Sequence, residues 1–406
     1  MKKIDPFWNC WHTRHLKILF FSFALLNAIN TIAIWLSSLF WFAYLLFDRD
    51  KAIGVLKQAY RQHRVPFWAS IVLFGLIIIG GLNSSNLILS FEDIIQKLPF
   101  VIFPIVLSPL LVLKHEQIEE IKTAFISGTL IMLLLAEGIL IYQWFHSTQS
   151  VWEFFLSRTY VEFSSLINMH PNLLAFMLTI AISFAIERIV IGQNRFGNGV
   201  ILALLLLGLW QSASRLTIVF LISIIVGMIF LIMKTWKIRL ITTMTIATVS
   251  IILLALFLHN NAVRFRLLNL FKGDEVRIKV WTCAIETIKN NPEIVLLGVG
   301  TTDVKPTLQR CYQEKGYDLA VRENLNAHNQ FLEFLLGGGI FLFFAWLIML
   351  AYFAININSG TMLTFLIAVL GFALVDSILN VQKGIVLFVG FYWFFLYTKN
   401  RDGKPN

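Results

Sequence analysis

What most limits this chain is a series of apolar blocks, many of them close to about 20 residues long, separated by short polar connectors. A helix of that length matches the hydrocarbon thickness of a bilayer. In hydrocarbon every backbone N–H and C=O needs an internal partner, so only helices or closed barrels cross. The unbroken apolar runs lack the alternation of a barrel strand. With 58% hydrophobic and 14% charged residues, and a mean hydropathy of +0.75, the 406-residue chain is too apolar to be soluble. The sequence therefore predicts an all-α, polytopic integral membrane protein with about 12 transmembrane helices.

The block at residues 16–47 is too long for one upright span, and Asn27, Asn30 and Thr31 in its middle predict a hairpin of two short helices. A basic connector, residues 48–64, follows. Further spans are expected at residues 67–82, 100–113, 123–144, 172–191, 199–212, 216–233, 241–258, 331–355, 361–379 and 385–397. The N-terminal MKKIDPFWNCWHTRHLK reads as retained, because no small-residue cleavage site follows the first apolar block. Two connectors, residues 83–99 with FEDIIQK and 146–171 with VWEFFLSRTYVEF, are amphipathic enough to lie along the interface, with Trp152, Phe154 and Phe155 facing lipid.

The net charge of +10 comes from Lys and Arg scattered at span ends, not from a basic domain, so nucleic acid is not an expected partner. Basic clusters at residues 49–64 and 234–239 set those connectors, and both termini, in the cytoplasm. The short outer connectors then hold only Lys97, Arg158, Arg215 and Lys383. The same count puts the one long polar run, residues 259–330, outside the cytoplasm. At roughly 70 residues it is far longer than an ordinary connection, which points to function. The chain thus divides into nine spans at residues 1–258, the long loop at 259–330, and three spans with a cytoplasmic tail at 331–406. No soluble domain, low-complexity segment or internal repeat is expected. Cys283 and Cys311 both fall in the loop, where a bridge and two free thiols are both open readings.

Arg215, in WQSASRLTIVF, stands between two apolar runs, where a cation is costly unless it is paired, functional or snorkelling to the interface. Arg277 lies four residues before Trp281, which puts both on one face of a helix, and it has Asp274 and Glu275 as local partners. His328 opens AHNQFLEFLL where the loop re-enters the bilayer; a histidine there serves as a general base or as a helix-start residue. Asn329 and Glu333 are one turn apart, and Glu333 is ionisable inside an apolar run. Glu137 and Asp376 are the other intramembrane acids, expected to bond between helices. The sequence has no P-loop, dinucleotide fingerprint, HExxH, GxSxG or Asp-x-Asp, and no Cys/His set with zinc spacing, so neither a metal nor a nucleotide cofactor is expected. Arginine pairs bidentately with phosphate, so an anionic lipid-linked substrate suits these residues better than a neutral solute.

At these residues the chain resembles the O-antigen ligase family of lipopolysaccharide assembly, in the superfamily that also holds O-antigen polymerases and protein O-oligosaccharyltransferases. The resemblance spans roughly residues 170–340. It rests on HPNLLA at residues 170–175, the pair Ser214 and Arg215 opening a span, and Arg277 before Trp281. NPEIVLLGVG and the His-Asn, nine residues, Gly pattern ending at Gly339 complete it. Leu216 and Leu342 stand where the family usually has small residues. The resemblance implies a glycosyltransferase at the periplasmic face of the Gram-negative inner membrane. It would move O-polysaccharide from undecaprenyl diphosphate to a sugar of lipid A-core. Arg215 and Arg277 are then expected at the diphosphate and His328 at the acceptor hydroxyl, with His170 and Asn172 beside them. A polymerase is the nearest alternative; a polyprenyl-lipid flippase is disfavoured because the candidate residues crowd the outer face instead of the midplane.

Overall fold

The computed structural model describes residues 6–214, 216–232 and 275–399, and every regular element among them is helical. The hairpin of α1 (Pro6–Ser22) and α2 (Asn27–Phe47) turns slightly earlier than expected, at residues 23–26. Asn27 and Thr31 instead lie inside α2, and Asn30 reaches back to donate to Ser22 Oγ at 3.1 Å, which latches the turn. The basic connector is itself a helix, α3 (Arg49–Gln62), leading into α4 (Arg64–Leu82). Next come α5 (Leu87–Lys97) and α6 (Pro99–Val106), which ends in a 3-10 turn at Ser108–Leu111. Here the sequence expectation fails: instead of an interfacial segment and a separate span, Leu87–Leu111 forms one stretch long and apolar enough to cross.

The long α7 (His115–Phe145) is followed by the short α8 (Val151–Ser157) and α9 (Val161–Ser165), then by α10 (Pro171–Val190), α11 (Arg195–Ser212) and α12 (Leu216–Ile232). Phe154 is buried beneath Arg158, whose guanidinium lies 5.4 Å from its ring centroid, so of the expected lipid-facing trio it is Trp152, 71% exposed, that points outward. The described residues hold seven helical stretches long and apolar enough to cross a bilayer, with shorter apolar helices at Leu216–Phe230 and Gly360–Val375. The expected span at residues 241–258 lies outside the described residues.

Beyond the loop, and after its four helices, run α17 (Gln330–Ile355), α18 (Gly360–Val375) and α19 (Gln382–Thr398). A helix that is apolar all round is enclosed by lipid or by other helices, and α19 is enclosed by helices, buried along its whole length from Lys383. Its rings anchor the core: Phe391 lies 4.7 Å from Phe125, Phe394 5.1 Å from Phe20 and Phe395 5.3 Å from Phe365. The equally enclosed α10 packs beside it.

The described part of the loop is folded. The helices α13 (Glu275–Asn290), α14 (Glu293–Leu297), α15 (Val304–Glu314) and α16 (Asp318–Arg322) enclose a small core of their own around Val280, Ile294, Leu308 and Tyr312. A disulfide between Cys283 and Cys311, with Cα atoms 5.8 Å apart, staples α13 to α15 and decides between the two open readings. Two bolts fix this unit to the bundle. Val299 N donates to Leu336 O at 2.7 Å and Gly300 N to Gly337 O at 3.1 Å, at a kink in α17 where Gly339 has φ 66°. Asp303 accepts from both the backbone N–H and the hydroxyl of Ser85, each at 2.7 Å, in the turn between α4 and α5.

Candidate active site

Four stretches distant in sequence meet at one end of the bundle. Asn329 caps α17, its side chain accepting from Phe331 N and Leu332 N, and the residue before it, His328, is forced into a left-handed backbone with φ 44°. Such a conformation is uncommon for a residue with a Cβ and is held only where the surroundings over-determine it. Here Asn326 Oδ1 accepts from His328 N at 3.0 Å. The imidazole Nδ1 then lies 3.3 Å from Asp376 Oδ1. The helix α18 ends at Val375, so Asp376 stands just past it, not inside a span as expected from sequence, and Oδ1 also accepts from Ser377 N at 2.8 Å.

The other oxygen, Asp376 Oδ2, accepts from Asn172 Nδ2 at 2.8 Å. Asn172 sits in the first turn of α10, where Pro171 starts the helix and His170 caps it, accepting from Asn172 N through Nδ1 at 3.3 Å. Asn172 Oδ1 in turn accepts from the Ser214 hydroxyl, which itself receives Leu216 N at 3.2 Å and so opens α12. The result is a relay, His328 to Asp376 to Asn172 to Ser214, joining the loop's end to three helices. The buried Asn172 and Ser214 leave no freedom in it.

A second set of bonds holds the frame. Asn329 Nδ2 donates to Leu374 O at 2.9 Å, and Leu379 N to Gln330 Oε1 at 2.8 Å. Glu333 accepts from Asn380 Nδ2 at 2.7 Å and from Ala327 N at 3.1 Å. Asn329 and Glu333 thereby fasten the start of α17 to the end of α18. Glu137 takes a similar part between α7 and α11, accepting from Gln211 Nε2 at 3.2 Å.

The electrostatics follow from this packing. Burial pushes the Asp376 carboxyl upward, but the hydrogen bond and charge of His328, then His170 and Asn172, outweigh it and hold the group at about 2. His170 is held below the usual histidine range, first by burial, against the pull of Asp376, and further by the charges of His328 and Arg277. Arg277, half-buried on α13, is thus close enough for its charge to be felt at the relay. Arg215 lies outside the described residues; its neighbours Ser214 and Leu216 both belong to the site.

Beside the relay is a cavity of about 410 Å³ lined by His170, Asp376, Asn326, Glu333 and Lys305, together with Glu92 and Asp93 of α5. Sequence reasoning gave Asp376 only an interhelical role and missed Glu92, Asp93 and Lys305. The signal for Asp376 was an acid at the exit of an apolar run; for α5 it was the 89, 92, 93, 96 spacing, which gathers one face of a helix. A histidine oriented by a carboxylate, next to a polar cavity and a cation, can take a proton from a hydroxyl while the cation stabilises an anionic leaving group.

No curated protein matches the chain. A family model described as O-antigen ligase matches residues 200–347, a stretch that contains Ser214, Arg277, His328 and the kinked first half of α17 but not His170, Asn172 or Asp376. Members of that family are membrane glycosyltransferase-like enzymes acting on lipid-linked polysaccharide. Over residues 200–347 this chain of multiple apolar helices is similar to the O-antigen ligase family.

Proposed function

We propose that the protein is an O-antigen ligase, a glycosyltransferase that moves O-polysaccharide from undecaprenyl diphosphate to a sugar hydroxyl of lipid A-core at the periplasmic face of the Gram-negative inner membrane. The observation that carries this reading is the His328–Asp376 pair, 3.3 Å apart, whose carboxylate lines a polar cavity within reach of the Arg277 charge. With Nδ1–H turned to Asp376, the lone pair of Nε2 is free to accept a proton. The acceptor hydroxyl oxygen forms a bond to the anomeric carbon of the donor. The bond from that carbon to the diphosphate oxygen breaks, its electron pair leaves with undecaprenyl diphosphate, and the hydroxyl proton goes to His328. Arg277 and Arg215 take the diphosphate, where charge grows as the bond breaks. Asn172 and His170 hold Asp376 in place, and Asn329 and Glu333 hold the helix start that carries His328.

In this reading residues 259–330 are the periplasmic loop between the membrane parts at 1–258 and 331–406. The disulfide supports it, since such bridges persist in oxidising compartments. Guanidinium groups supply the positive charge, so transfer by the purified protein survives a chelator; loss in chelator with rescue by magnesium or manganese refutes that. One gel separates the ligase from a polymerase of the same superfamily. Deleting a ligase leaves lipid A-core bare while long polymer collects on undecaprenyl diphosphate. A strain whose lipopolysaccharide instead carries a single repeat unit has lost a polymerase, and the ligase assignment falls.

A further inference from the structure

At the end of α4 away from the loop, an apolar groove of about 370 Å³ runs between α4 and α17. Val65, Trp68 and Val72 of α4 and Ile348 of α17 form its exposed sides, and the buried Ala69 and Ala345 its floor. The floor residues carry only a Cβ, which leaves open the furrow between two packed helices. On α4, positions 65, 68 and 72 fall on one face, and Gly75 continues it, where a Cβ would meet nothing within 4 Å. From Val65 to Gly75 that face rises about 15 Å, half of the roughly 30 Å of hydrocarbon in a bilayer, which is the depth of one leaflet. The helix itself is long and apolar enough to cross.

The mouth of the groove is polar. Arg64 lines it, its guanidinium 5.6 Å from the Tyr60 ring centroid, and the Tyr60 hydroxyl accepts from Trp68 Nε1 at 3.2 Å. A Tyr and a Trp placed this way mark the head-group level of a bilayer. Lys57 and Arg61, one turn apart on α3 and flanking Tyr60, are exposed as well. Among the described residues Lys57, Arg61 and Arg64 form no ion pair, and Asp48 at the start of α3 is taken by Lys51. Three unpaired cations at the mouth of an apolar furrow one leaflet deep fit a ligand with an anionic head and a hydrocarbon tail. We infer that the groove seats one anionic phospholipid, with an acyl chain along Val65, Trp68, Val72 and Ile348 and the phosphate at Arg64, drawn there also by Lys57 and Arg61. The two walls already meet where the Ser70 hydroxyl donates to Met349 Sδ at 3.8 Å, and Tyr352 of α17 donates to Gln62 O, just before α4, at 3.3 Å. Since α4 leads to the Ser85 bolt and α17 starts beside His328, a lipid in the furrow holds together the two helices that place the loop. This holds whichever reaction the site performs.

The test titrates the full-length protein, purified in detergent and stripped of lipid, with dioleoyl phosphatidylglycerol and with dioleoyl phosphatidylcholine. Native mass spectrometry reads the bound lipid and thermal melting the stability. Phosphatidylglycerol is expected to bind about 10-fold or more tighter and to raise the melting temperature as it saturates the site. Arg64→Gln should weaken it about 5-fold, and Lys57→Gln, Arg61→Gln and Arg64→Gln together should bring it to the phosphatidylcholine level. Val72→Trp, at an exposed position, fills the furrow and should lower the affinity for both lipids about 10-fold. Excess glycerol phosphate should displace neither. If Val72→Trp does not fold, Ile348→Trp on the opposite wall makes the same test. Equal affinity for the two lipids, a preference for phosphatidylglycerol untouched by Arg64→Gln, or a folded tryptophan variant that binds it as tightly as wild type each overturns the site. Displacement by glycerol phosphate overturns it too, since the cations would then hold a free anion without the groove.

Discussion

His328 is held by its backbone as much as by its ring, and the two can be separated by substitution. With φ at 44°, the position tolerates asparagine better than alanine, because a short polar side chain bonds locally in the left-handed region. His328→Asn should therefore fold at least as well as His328→Ala, while both lower turnover by about 10²- to 10⁴-fold and leave donor binding nearly intact. Thermal melting and donor titration on the two variants check this; donor affinity lost along with turnover would move the histidine to the diphosphate. Arg277→Ala, in contrast, should weaken the donor complex by about 2–5 kcal/mol, with lysine a poor substitute for the planar fork. Asp376 acts through the ring it orients. Its folded pKa of about 2 lies below the ordinary aspartate value of 3.8, so the stability it contributes is fully present above 3.8 and is lost only as pH falls through about 2. Between pH 5 and 9 Asp376 stays ionised, and any change of rate across that window belongs to other groups. Asp376→Asn keeps a hydrogen-bonding oxygen but removes the charge, and should cut turnover by at least about 10²-fold and lower the melting temperature near pH 7, where the ionised carboxylate stabilises the fold.

At the scale of elements, the proposed function depends on the loop being bolted to the bundle, and glycine makes the bolt possible. A Cβ on Gly298 would stand 2.5 Å from Gly337 O, and one on Gly339 would stand 2.4 Å from Leu296 O, with both residues at positive φ. Gly298→Ala or Gly339→Ala should each destabilise the protein by about 2 kcal/mol or more, and should also lower activity by shifting His328, eleven residues before Gly339 in the same motif. Removing the Cys283–Cys311 bridge, which spans 28 residues, costs about 3 kcal/mol by loop entropy but leaves both bolts in place. A Cys283→Ser, Cys311→Ser double variant should therefore melt earlier yet keep activity at low temperature. The sequence made some of this visible and hid the rest for physical reasons. Apolar runs near bilayer length announce helices, so α4, α7, α10, α11 and α17 were all legible. Nothing in the sequence pairs the Gly-x-Gly and Gly-Gly-Gly segments, because close backbone approach depends on what lies across the contact. The polar face of α5 read as interfacial, since amphipathicity reports one wet side without saying whether the water is bulk solvent or a cavity. Asp376 was ambiguous for a similar reason: its partner His328 is 48 residues away and becomes a neighbour only after α17 and α18 pair.

At the scale of the whole molecule, the described residues place the candidate site and a buried ion cluster at opposite ends of the same helices. The site end of α10 carries His170 and Asn172, and 15 to 18 residues, about 25 Å of helical rise, separate them from Glu187 and Arg188. There Lys122 bonds Glu119 at 2.9 Å and Glu187 at 3.0 Å, and Arg188 donates to Glu119 at 3.1 Å, forming a buried ion cluster that ties α7 to α10. The same end gathers Arg195 at the start of α11 and Lys399 after α19, which bonds Asn356 beyond α17 at 2.5 Å. His328, Asp376 and Ser214 all occupy the other ends of these helices. If the bundle crosses the bilayer along α10, the positive-inside effect assigns the ion-cluster end to the cytoplasm and the site to the periplasm. A phosphatase that is active only outside the cytoplasm, fused after Thr302, should then be active, and the same enzyme fused after Lys399 should be silent. Thr302 lies next to the cavity and Lys399 at the far end, so the pair reads the two faces of the molecule with one reporter. Activity at the Lys399 fusion alone would invert the molecule and put the cavity in the cytoplasm, where a diphosphate-linked donor presented from the periplasm cannot reach His328. Activity at both positions would mean that α19, enclosed by the bundle on every side, does not carry the chain back across the membrane.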